Sequence, residues 1–209
     1  LRKENIVLNF SPFRPVMKRY SEMPVLITGV GDIEKVAIDC GLNKYITCEE
    51  YCTIFPYLVP LSRRNYDDRW KAIEVIKKRF GVTDDAFFDE PIQINAVFVL
   101  NDVLKWEENI QIICDLLSTP DGKIAQKMPL EAPEDHIPIF CVNNDFTYAD
   151  SFRLPRLAYG PFTRSLERIY HLMYGKPLKY HLCGKPEKIT FEYASKSSNW
   201  FLKYNRRES

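Results

Sequence analysis

Asn143 and Asp145 close the run Ile139-Phe140-Cys141-Val142-Asn143-Asn144-Asp145, directly behind an apolar stretch that reads as a β-strand. Open α/β sheets present their ligand-binding groups there, outside the carboxyl ends of the strands. An amide and a carboxylate at that position can hydrogen-bond a polar substrate. The same residue types favour turns and caps, so a purely structural role competes for both. Further on, Cys183-Gly184-Lys185-Pro186 holds a lysine between glycine and proline. Glycine permits close backbone approach and proline stiffens the chain, which suits a fixed ammonium aimed at a phosphate. A plain surface turn is the competing reading.

Other chemistries lack their patterns. His136, His171 and His181 are scattered, with no H-x-x-x-H or H-E-x-x-H pair to hold zinc. No G-x-S-x-G elbow and no G-x-x-x-x-G-K-[ST] phosphate loop occurs. Cys40, Cys48, Cys52, Cys114, Cys141 and Cys183 form no C-x-x-C pair, so free, buried thiols in a reducing compartment are expected. Gly29-Val30-Gly31 is followed by Glu34 where a dinucleotide fingerprint requires a third glycine. A tight strand-to-helix turn is therefore favoured there over a phosphate cradle. Lys77, Lys78 and Arg79 read as a solvated helix face in preference to a binding patch.

The elements that must position these residues alternate between short β-branched runs and segments of helical period, the pattern of a parallel sheet covered by helices. Strands are expected over 6–9, 25–28, 44–47, 95–100 and 137–142, and helices over 33–40, 67–80, 106–117 and 161–174. The charged flanks of the second helix, 62–68 and 83–90, read as an exposed excursion, and 123–138, with its prolines, as a loop. Lys and Arg number 29 against 28 Asp and Glu, a net charge of +1 that offers no field to steer nucleic acid or an anionic membrane. No apolar run approaches the ~20 residues of a bilayer span, and no targeting signal follows Leu1. A soluble α/β protein is expected.

In order along the chain, Val25-Leu26-Ile27-Thr28-Gly29-Val30-Gly31, Trp106-Glu107-Glu108-Asn109, Asn143-Asn144-Asp145, Leu154-Pro155-Arg156-Leu157-Ala158-Tyr159-Gly160 and Gly184-Lys185-Pro186 resemble the type IIA, NagD-like branch of the haloacid dehalogenase superfamily. The likeness is nearest to its eukaryotic, often mitochondrial, members related to the cat eye syndrome critical region protein. It implies a C2-type α/β cap domain over residues 22–178, flanked by partial Rossmann-like core at 1–21 and 179–209. It implies Lys185 as the catalytic motif lysine, Asn143 and Asp145 as substrate-binding residues of the cap loop facing the active site, and Mg²⁺ as the cofactor of the intact family. The reaction it implies is hydrolysis of a small phosphorylated metabolite through an aspartyl-phosphate, in an intracellular, mitochondrial setting. No D-x-D-G occurs in the 209 residues, and no G-D-N motif follows Lys185. The chain therefore carries no family nucleophile and no family metal ligand. The alternative is a catalytically inactive, HAD-like structural or interaction subunit. The expected partners are a small phosphorylated molecule and a homo-oligomer or larger protein assembly, with neither nucleic acid nor membrane.

Overall fold

Val25, Leu26 and Ile27 are each fully buried, as befits a strand covered on both faces. Parallel strands are buried in this way because their crossover helices lie against the sheet. The computed structural model describes residues 8–124, 133–184 and 187–195. Its elements are α1 (Arg14–Arg19), β1 (Val25–Thr28), α2 (Ile33–Asp39), β2 (Tyr45–Thr47), α3 (Cys48–Ile54), α4 (Tyr66–Phe80), β3 (Val97–Val99), α5 (Trp106–Leu117), β4 (Ile139–Cys141), β5 (Thr147–Tyr148), β6 (Arg156–Leu157), α6 (Tyr159–Tyr174) and β7 (His181–Leu182). A final helical segment covers 188–195.

The main sheet has five strands in the order β2-β1-β3-β4-β7, and each adjacent pair runs parallel. The fold is α/β, as expected. Because the chain steps outward from β1 to β2 and then returns across β1 to β3, strand order reverses between β1 and β3. In open sheets a crevice forms outside the strand ends at such a reversal. β5 and β6 pair antiparallel as a separate two-stranded arm after β4.

The expected strands at 25–28, 44–47, 95–100 and 137–142 form, trimmed to their ladder residues. The helix expected over 106–117 forms over those residues, and the others begin or end within two residues of expectation. Of the strand expected at 6–9, Leu8 and Asn9 are not extended ladder residues, and the rest lies outside the described residues, as does 125–132 of the expected loop. The flanks of α4 are mostly exposed, while its face of Ile73, Ile76 and Phe80 enters the core and packs on α3. One hydrophobic core joins the central strands to Phe13 and Met17 before them and to Cys183 after them. No helix among the described residues is long and apolar enough to cross a membrane.

Candidate functional site at the carboxyl edge of the sheet

Because β4 and β7 are parallel neighbours, with Phe140 opposite His181 and Cys141 opposite Leu182, the loops that follow them emerge side by side. The two candidate segments are thereby brought together. The Cys183 amide donates to the Cys141 carbonyl at 2.9 Å, extending the contact past the strand ends. Gly184, at φ +99°, lies so close to β4 that a Cβ there would stand 2.5 Å from the Val142 carbonyl oxygen. Only glycine fits that approach. Its amide donates to Thr190 Oγ1 at 2.8 Å, which ties the loop to the last helical segment. Lys185 and Pro186, the next two residues, lie outside the described residues.

Asn143 Oδ1 accepts the amides of Asn144 and Asp145 at 2.7 and 3.0 Å. Its oxygen is thus spent on its own turn, the structural reading that competed for this residue; an Asn side chain that mimics a turn in this way leaves only its NH₂ to act outward. Asp145 is exposed, and its backbone carbonyl accepts the Gly160 amide at 2.7 Å. A Cβ on Gly160 would meet the carbonyl oxygens of Asn144 and Asp145, both at 2.8 Å. The 143–145 loop is therefore clamped between the first turn of α6 and the Gly184 turn. The floor beneath is apolar and fixed: fully buried Tyr159 donates its hydroxyl to the Val99 carbonyl at 3.0 Å. Burial pushes the Cys141 thiol up to about 11 and that of Cys183 to about 12. Neither supplies a thiolate nucleophile near neutral pH.

At the β1/β3 reversal the glycine turn serves packing. A Cβ on Gly29, at φ +138°, would lie 2.7 Å from the Asn101 amide nitrogen. The Val30 amide donates to the Asp102 carbonyl at 2.7 Å, and Asn101 Nδ2 donates to the Val30 carbonyl at 3.0 Å. Glu34 occupies the first turn of α2, where its charge opposes an incoming phosphate. A cavity of about 190 Å³ remains nearby, lined among others by Thr28, Thr47, Glu49, Lys105 and Asn109. The Thr28 hydroxyl donates to Asn109 Oδ1, closing its floor.

The chain is 25% identical over 189 residues to a mitochondrial hydrolase of Saccharomyces cerevisiae, a match covering 90% of this chain and 50% of that protein. It is 24% identical over 197 residues to a fusion protein of cardiolipin synthase and mitochondrial hydrolase from Schizosaccharomyces pombe, covering 93% of this chain and 30% of the fusion. The chain thus spans half the length of the first relative and less of the second. No protein-family model matches it.

One polar group escaped the reading of the sequence. Arg64 bridges Glu49 of α3 and Glu108 of α5, with the Arg64 and Glu108 side chains only 9% and 6% exposed. Lys105 adds a 2.9 Å contact to Glu49, and the Ser62 hydroxyl donates to Glu108. Burial alone would raise the Glu49 carboxyl, but hydrogen bonds from Lys105 and Arg64 outweigh it and hold the group below the usual range. The one signal in the sequence is Glu108, a carboxylate on the buried side of α5, because a buried charge demands a partner. The Lys77–Arg79 run is likewise engaged within the molecule. Lys77 pairs with Asp85 at 2.8 Å, and Arg79 pairs with Glu50 at 2.9 Å and stacks 4.0 Å from the Tyr45 ring centroid; Lys78 is exposed.

Six free cysteines are all buried. Among the described residues, no three or more His, Cys, Asp and Glu side chains gather where they could hold a metal ion.

Proposed function

We propose that this chain is the cap and the lysine-bearing loop of a mitochondrial, haloacid dehalogenase-type hydrolase that removes phosphate from a small phosphorylated metabolite. What carries the reading is the likeness to proteins named mitochondrial hydrolases along 90% of the chain. The meeting of the Asn143–Asp145 loop with the Gly184 turn supports it. The resemblance gives 22–178 to the cap and 1–21 and 179–209 to the core, while β7, Phe13, Met17 and Cys183 share the sheet and hydrophobic core of the cap residues in this structure. By the resemblance, the role of Lys185 is to offset the charge of the phosphate as the nucleophile approaches, while the Asn143 NH₂ and the Asp145 carboxylate orient the rest of the substrate. Chemistry needs an aspartate that no D-x-D-G motif of these 209 residues supplies. Its carboxylate oxygen bonds to phosphorus as the ester P–O bond breaks, and the released metabolite oxygen takes a proton and leaves as the alcohol. Water then cleaves the aspartyl-phosphate, releasing inorganic phosphate and restoring the carboxylate.

A gene product that carries D-x-D-G beside this sequence is expected to release phosphate from p-nitrophenyl phosphate in a Mg²⁺-dependent manner. Lys185→Met should lower its kcat by about 10²–10³, the scale of losing one preorganised charge-stabilising donor. No phosphate release from such a product, or full activity in Lys185→Met, overturns the reading. The second reading, an inactive subunit of a larger assembly, draws on the exposed apolar residues of the β5–β6 arm, Phe146, Tyr148, Phe152, Leu154 and Leu157. Absence of activity together with a stable hetero-complex on gel filtration would select it.

A further inference from the structure

We propose that the groove at the β7 edge of the sheet binds a planar heteroaromatic ring bearing an anionic group, with the ring stacked on His181. Phe98 of β3, Phe140 of β4 and His181 of β7 are register partners across parallel strands and so share one face of the sheet. Their rings stack as a column, with centroids 4.8 Å apart at 13° and 5.0 Å apart at 18°. That spacing is the distance between strands, about 4.8 Å, so each strand contributes one ring per step. Phe13 and Tyr20 meet the column edge-on and hold it in place. Phe98 is fully buried and Phe140 is 6% exposed, whereas His181 is exposed. Among the described residues the column stops there, because β7 is the last strand in their sheet order.

A groove of about 830 Å³ opens at this end, lined by Phe140 and His181 together with Tyr20, Tyr180 and Leu182, and by Arg19, Lys188 and Glu187. A fourth planar ring continues the stack there at the offset-stacking distance aromatic faces prefer. The ring's substituent meets Arg19, which pairs with no acid among the described residues, and Lys188, which is opposed by Glu187 and Glu192. Lys188 touches Glu192 at 3.2 Å, but the two side chains are 89% and 51% exposed, and so open a pair holds its ammonium weakly. Glu187 can accept from a ring amino group or a sugar hydroxyl. A neutral apolar ring would leave both cations unused. The groove lies on a face of the sheet, apart from the strand ends, and does not depend on the phosphatase reading.

The test follows the ring protons of His181 by NMR in the 209-residue chain during titration with AMP, adenosine and ribose 5-phosphate. AMP is expected to move the His181 resonances saturably upfield, adenosine to bind about tenfold more weakly, and ribose 5-phosphate to leave them in place. AMP binding, followed through Tyr180 or Leu182, should weaken about tenfold or more in His181→Ala, the scale of one base stack, and persist in His181→Phe. Arg19→Glu should remove the advantage of AMP over adenosine. No saturable shift with AMP, equal binding in His181→Ala, or binding of ribose 5-phosphate as tight as that of AMP overturns the proposal.

Discussion

At residue scale, the half-buried Asp115 of α5 is the acid to watch, because burial pushes its carboxyl up to about 6, against a smaller lowering by the hydrogen bond from Gln111. In the unfolded chain the group titrates near its ordinary value, ~3.9. Between these two values the folded state binds more protons than the unfolded one, so this group's effect on stability improves as pH falls through 6 toward 4 and is adverse above 6. Asp115→Asn should therefore raise stability at pH 7–8 by about 1–2 kcal/mol, reduced from the full linkage value for partial solvent screening. Urea unfolding of both forms at pH 5 and pH 8 checks this, and a variant no more stable at pH 8 contradicts it. The residues themselves were unequally legible. Asn143 was marked as either a ligand group or a turn former, and its oxygen proved to be committed to the turn. Arg64 carried no local mark at all, because its importance comes from Glu49 and Glu108, 15 and 44 residues distant.

Among elements, β1 was readable as an unbroken apolar run buried at every position, and α5 from its apolar residues at helical spacing, Ile110, Ile113, Cys114 and Leu117. α3 was overlooked although Thr47 and Glu50 form a capping box, a signal visible as T-x-x-E. Its apolar face is supplied by Cys48, Tyr51, Cys52 and Ile54, a mixture that barely registers as a hydrophobic stripe. The pairs β5–β6 and β4–β7 have strands of only two ladder residues on one or both sides, so tertiary position decides them, and no local propensity does. The clamp on the 143–145 loop is a property of elements too. Gly160→Ala inserts a Cβ where two carbonyl oxygens lie at 2.8 Å, inside α6, where alanine otherwise helps a helix. The expectation is a loss of about 1–3 kcal/mol, the usual cost of overpacking, with faster hydrogen exchange at Asn144 and Asp145. Unchanged exchange together with higher stability would mean that the loop is not held from this side.

For the whole molecule, the sheet order could not be foreseen from the positions of its strands. The reversal at β1/β3 arises from crossovers, and sequence period is silent on which edge a strand joins. The chemistry of the cysteines was foreseeable, since unpaired cysteine is among the most buried residue types. All six thiols are buried, and burial is the leading cause that raises Cys40, Cys114, Cys141 and Cys183. A disulfide reagent such as DTNB should therefore react with the native chain only as fast as it opens, and with all six thiols at once in denaturant. Prompt labelling of any thiol in the native state would show that its part of the core is looser than described. The same burial makes the thiol count a gauge of folding for every variant named above.

The contact between Gly184 and the Val142 carbonyl also constrains how such a protein can diverge. A side chain at 184 is admissible only if 142 and 143 retreat, and a side chain at 160 only if 144 and 145 do. Single substitutions at these places lead downhill, and paired ones must arrive together. Inherited variation is thereby channelled away from the clamped loop and toward the neighbouring arm of Thr147–Tyr148 and Arg156–Leu157, whose side chains are mostly in solvent. A lineage adapting to new ligands at this edge is expected to keep the clamp and rewrite the arm.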